Sequence, residues 1–73
     1  MNNNKIISYG DRIFARVISN GKIILDFVTE NVSNLMELMM ELRRNMEGCT
    51  GLVRVSIRNY HQGWGEEKWM MMR

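Results

Sequence analysis

The sequence contains no proline and a single cysteine, Cys49. Without proline, strand edges lack one common safeguard against pairing with another chain. With one cysteine, no disulfide can form within the chain, and the lone thiol fits a reducing compartment. His61 is the only histidine. Zinc wants about four ligands, so a structural metal is not expected from Cys49 and His61, and no cofactor is expected at all. No apolar run approaches the ~20 residues of a membrane-crossing helix. The opening MNNNK lacks the apolar core of a secretion signal. These absences together lead to the expectation of a cytoplasmic protein with no membrane contact. A Gly-rich phosphate loop is also missing, and no small-molecule substrate is expected.

Charge of one sign is not in excess. The net charge is +2, too small to imply a polyanionic partner. Residues 1–30 carry four bases and three acids, residues 31–48 two and three, and residues 49–73 four and two, so only the last third is mildly basic. The 73 residues make one domain, 1–73, with the polar residues 1–4 expected to be frayed. A chain this short buries roughly 60% of its unfolded surface and commonly needs a disulfide, a metal or self-association for stability. Here self-association is what remains.

Methionine is abundant, with eight copies, and several fall in the one stretch of clear helical period, VSNLMELMMELRRNM at 32–46. Leu35, Leu38, Met39, Leu42 and Met46 recur at the spacing of a single helical stripe, and Glu37, Glu41 and Arg44 fall opposite. Thr29, Asn31 and Ser33 all offer capping oxygens. Asn31 is the preferred N-cap, which makes Val32 the first helical residue. Arg43 and Arg44 sit at the negative end of the helix dipole, and Gly48 is expected to stop the helix in a left-handed conformation.

Two stretches, 13–19 and 22–28, flank Asn20-Gly21, the strongest short hairpin signal. An uninterrupted two-residue hairpin would pair Ser19 with Lys22, Ile18 with Ile23, Val17 with Ile24, Arg16 with Leu25, Ala15 with Asp26 and Phe14 with Phe27. Phe14, Ile18, Ile23, Leu25 and Phe27 would then face the helix. Ile13, Ala15, Val17, Ile24 and Val28 would lie on the opposite face, too apolar to be left in water. Residues 5–9 could add a short strand before the hairpin.

Residues 52–59 alternate cleanly, with Val53, Val55 and Ile57 on one side and Leu52, Arg54, Ser56 and Arg58 on the other. Residues 60–63 read as a turn. Residues 64–72 read as a fourth strand whose end, Trp69-Met70-Met71-Met72, is apolar on both faces. The order β-β-α-β-β gives an α+β fold, one helix packed on one face of a four-stranded, mainly antiparallel sheet.

The segment GLVRVSIRNYHQGW, residues 51–64, with the short apolar end after it, resembles small uncharacterised proteins encoded on mobile elements of gut bacteria. The shared features are a strand ending in Arg-Asn and a turn ending in Gly-Trp. The resemblance covers less than a quarter of the chain. It implies an accessory gene product rather than a metabolic enzyme, and carries no established activity.

Catalysis finds little support. Cys49 and His61 are the only nucleophile–base pair. They lie at opposite ends of the third strand, about 25 Å apart for eight extended residues. Glu66 and Glu67 are adjacent on a strand and so point to opposite faces. The expectation is a non-enzyme that works by self-association, as a homodimer, or by docking another protein. Its expected surface is Ile13, Val17, Ile24 and Val28, with Met70 and Met72. The alternative is a nucleic-acid-binding accessory module using Arg54, Arg58, Tyr60, His61 and Trp64, basic residues beside aromatics that could track phosphates and stack bases.

Overall fold

A computed structural model describes residues 5–72, so the expected fraying of residues 1–4 lies outside the described residues. The elements run β1 (Ile13–Ser19), β2 (Lys22–Thr29), α1 (Leu35–Asn45), β3 (Gly51–Asn59) and β4 (Trp64–Met72). The fold is α+β, one four-stranded sheet in the order β2-β1-β3-β4 with every neighbouring pair antiparallel. Because β2 and β3 both run against β1, they are parallel to each other. Parallel strands need a crossover, and α1 supplies it.

The first turn forms as the sequence implies, with Asn20 at φ 52° and Gly21 at φ 76°, both in the left-handed region a type I′ turn requires. The pairing beyond it differs from a simple hairpin. Ser19 faces Lys22 and Ile18 faces Ile23, but Val17 then faces Leu25, leaving Ile24 as the extra residue of a β-bulge. From there every partner is displaced by one: Arg16 faces Asp26, Ala15 faces Phe27 and Phe14 faces Val28. A one-residue slip moves a strand's whole side-chain set to the other face of the sheet. Here it brings Leu25 and Phe27 to the same side as Ile13, Ala15 and Val17, and places the carboxylate of Asp26 opposite a guanidinium instead of beside aliphatics.

The bulge therefore overturns the expected facing of the hairpin. Ile13 and Val17 are wholly buried against the helix, and Met70 and Met72 join them in the core from β4. Of the residues expected on an outer apolar surface, only Ile24 and Val28 are exposed. Phe14, Ile18 and Ile23, expected inside, lie on the strands' other side.

The core joins Ile13, Ala15 and Val17 of β1, Val53, Val55 and Ile57 of β3, and Met70 and Met72 of β4 to Leu38, Leu42 and Met46 of the helical stripe. Each fully buried aliphatic side chain contributes roughly 1.5–3 kcal/mol. The helix begins three residues later than expected. Asn34, not Asn31, is the N-cap: its Oδ1 accepts from the Glu37 N–H at 2.9 Å, and Glu37 reaches back to accept from the Ser33 N–H at 2.8 Å. That reciprocal arrangement satisfies two end donors at once. Gly48 takes the left-handed conformation, φ 94°, just past the helix end, as expected.

Residues 5–9 form no strand. The segment leading to β1 instead anchors on the turn after β3. Asn59, buried at the end of β3, donates through Nδ2 to the Ile6 carbonyl at 3.1 Å and to Asp11 Oδ2 at 3.2 Å. Its Oδ1 accepts the N–H groups of His61 and Gln62, both at 3.0 Å. Trp64 Nε1 donates to the same Ile6 carbonyl at 2.9 Å, and Ile7 is drawn into the core. The Ser8 N–H, and after it the Asn59 amide, hold the Asp11 carboxyl below the usual carboxylate range.

Candidate functional site: the uncovered face of the sheet

The only helix among the described residues packs on one side of the sheet, and the shortest dimension of the fold, 16 Å, is that of two layers. No element among the described residues packs on the other side. Strand register lays its residues out in rows. Val28, Phe14, Arg58 and Gly65 form one row across the four strands; Asp26, Arg16, Ser56 and Glu67 form the next. Ile23, Ile18, Arg54 and Trp69 follow, then Leu52 beside Met71.

The middle row is an ion-paired belt. Arg16 grips Asp26 with two hydrogen bonds, Nε to Oδ1 at 2.8 Å and Nη2 to Oδ2 at 3.3 Å. That fork holds the Asp26 carboxyl below its ordinary range and raises the already high pKa of the guanidinium. The Arg16 guanidinium also lies 5.7 Å from the centre of the Phe14 ring, within cation–π reach. Arg54 pairs with Glu67 at 3.7 Å. Arg58 makes no ion pair among the described residues. Its side chain lies over Gly65, where an added Cβ would stand 3.8 Å from Arg58 Nη1.

Beyond the belt, towards the β4 edge, the face is apolar and wet. Trp69 is 65% exposed, Met71 62% and Leu52 54%. These three were legible only in part. The C-terminal run is apolar on both faces, and the register now divides it: Met70 and Met72 fill the core while Trp69 and Met71 face outward.

The basic and aromatic residues expected to act together are divided. Arg54 and Arg58 lie on the open face, Arg54 already engaged by Glu67. Trp64 is on the helix side, packed against the core and tied to Ile6. Tyr60 and His61, in the turn, line a depression with Arg12 and Glu30, themselves paired at 3.1 Å. Cys49 precedes β3 and His61 follows it, so the length of that strand separates them. Glu66 and Glu67 fall on opposite faces, as alternation requires. Glu66 sits on the helix side, between Lys68 at 3.0 Å and Lys5 at 3.7 Å.

No helix among the described residues is long and apolar enough to cross a membrane. No protein-family model matches this chain, no curated protein matches it, and no solved structure matches it.

Proposed function

We propose that this chain is a non-catalytic protein that acts through contact with other protein surfaces, and that the first such surface is a second copy of itself. The observation that carries this reading is the exposure of Trp69, Met71 and Leu52 together on a sheet face that no described element covers. Large apolar side chains gathered on one part of a surface mark a contact site more than scattered ones do. Burying each is worth about 1.5–3 kcal/mol at full burial, and a two-fold axis doubles the gain. The belt of paired charges beside them gives the face a polar rim, the usual surround of an interface core.

This surface lies on β3 and β4. The lone Cys49 supports a reducing, cytoplasmic setting, and the likeness to mobile-element proteins supports an accessory role. Size-exclusion chromatography with light scattering tests the reading. A Trp69→Lys chain of unchanged circular dichroism is expected to elute as a monomer where the unmodified chain runs heavier. Equal masses for the two chains would overturn it.

A further inference from the structure

Self-association leaves open where the second copy sits, and the two edges of the sheet are not alike. The β2 edge carries the Ile24 bulge, which twists a strand away from partners. The β4 edge has no such interruption: all nine residues from Trp64 to Met72 pair with β3 in unbroken register. Among the described residues, no main-chain group bonds to its outer side. Arg43 Nη1 approaches the Met71 carbonyl at 3.5 Å from the helix, so that carbonyl faces away from β3. Main-chain groups alternate along a strand, so those of Gly65, Glu67 and Trp69 face the open edge as well.

Resting on the self-association reading above, we infer that two copies join along β4, antiparallel, with Glu67 opposite its own counterpart on the two-fold axis, giving one continuous eight-stranded sheet that covers Trp69 from the side and leaves Leu52 and the rest of the open face to a further protein partner. Three features of β4 select this register. First, it sets Glu66 opposite Lys68 of the second copy, twice. Within one copy these side chains already lie 3.0 Å apart on the helix side. Across the axis they form a square of alternating charge. A lone lysine on the inner side of an edge strand repels partners; here its charge is already matched by Glu66. Shifting the axis to Lys68 would instead set lysine against lysine, and shifting it to Glu66 would set glutamate against glutamate.

Second, the register places Trp69 opposite Gly65 of the second copy. An aromatic ring across from a glycine covers backbone that has no side chain of its own. The space above Gly65 is bordered by Arg58, the open-face arginine without an ion pair among the described residues. The most exposed aromatic of the open face thus meets a guanidinium free to stack on it. Third, Glu67 faces Glu67 across the axis, but Arg54 of each copy lies 3.7 Å from its own carboxylate and offsets the repulsion. Three hydrogen-bonded residue pairs, 65 with 69, 67 with 67 and 69 with 65, add roughly six main-chain hydrogen bonds.

Cysteine crosslinking in a Cys49→Ser background tests the register. Opposed residues on antiparallel strands have Cα atoms about 4.5–5.5 Å apart, within disulfide reach. Glu67→Cys is therefore expected to form a disulfide dimer under mild oxidation, about tenfold faster than Glu66→Cys or Lys68→Cys, whose counterparts lie out of range. A second arm uses charge. Glu66→Lys and Lys68→Glu are each expected to weaken association about tenfold, and their equimolar mixture to restore it, because unlike charges meet again across the axis. Circular dichroism of each variant confirms folding before it is scored. A dimer without preferential crosslinking from position 67, and without rescue on mixing, would overturn the β4 register while leaving self-association standing. An unmodified chain that stays monomeric throughout would overturn both.

Discussion

Asn59 and Asp11, 48 residues apart in sequence, meet at 3.2 Å beneath the turn that joins β3 to β4. Through that contact the irregular segment before β1 is fastened to the far end of the sheet. Asn59 uses both ends of its amide, with two acceptors for Nδ2 and two main-chain donors on Oδ1. Replacing it by alanine leaves buried partners unsatisfied and is expected to cost about 2–3 kcal/mol. For a domain of this size that lowers Tm by about 10–20 °C. Asn59→Asp is expected to be worse than alanine at neutral pH, because it sets a second carboxylate against Asp11, and to recover in acid. Thermal melts of the three chains at pH 7 and in mild acid check this.

Acid should weaken the fold through two carboxylates. Asp11, held by the Ser8 N–H, and Asp26, held by Arg16, both have pKa values below their ordinary ones. A carboxyl whose folded value is depressed contributes stability above the unfolded value, about 3.9, and loses it as pH falls through the folded value. The urea midpoint is therefore expected to be flat from neutral pH to about 5 and to fall below about 4. Asp26→Asn is expected to shallow that acid limb. An unchanged limb in Asp26→Asn would remove the Arg16 pair from the explanation.

The bulge at Ile24 is the device on which the sheet's two faces depend. Deleting Ile24 removes the extra residue and leaves the partners on either side of it unchanged, Val17 with Leu25 and Arg16 with Asp26. Leu25 and Phe27 then keep their place on the helix side, so the deletion is expected to preserve cooperative unfolding. Ile24→Ala keeps the residue count and is expected to cost less than about 1 kcal/mol. Denaturation followed by tryptophan fluorescence checks both variants, and loss of cooperative unfolding on deletion would contradict the bulge.

The helix start gives a sharper comparison. Asn34→Ala is expected to cost about 1 kcal/mol through loss of the cap. Asn31→Ala, outside the helix, is expected to stay within about 0.5 kcal/mol of the parent. A reversal of that order in urea titrations would place the helix start at Val32.

Local pattern carried most of the fold. The Asn-Gly turn, the helical stripe from Leu35 to Met46 and the alternation of Val53, Val55 and Ile57 each rest on neighbours a few residues away, and all are found in the structure. What local pattern does not carry is register. Nothing within 22–28 marks Ile24 as the extra residue, because each of its neighbours is apolar too. The slip sets Arg16 opposite Asp26 across the strand, and it puts Leu25 and Phe27 with Ile13, Ala15 and Val17 on the core side. The Asn59 hub was hidden for the same cause: its partners, Ile6 and Asp11, are distant in sequence. Trp69 and Met71 could be seen as surplus apolar residues, but their side of the sheet followed only from pairing with Arg54 and Leu52.

Sedimentation equilibrium over a wide range of chain concentration addresses self-association most directly. The weight-average mass is expected to rise from 8.6 kDa towards twice that value as concentration increases, with Trp69→Lys holding at the monomer mass. A mass fixed at 8.6 kDa across the range for the unmodified chain would contradict the proposal that this chain associates with a second copy of itself.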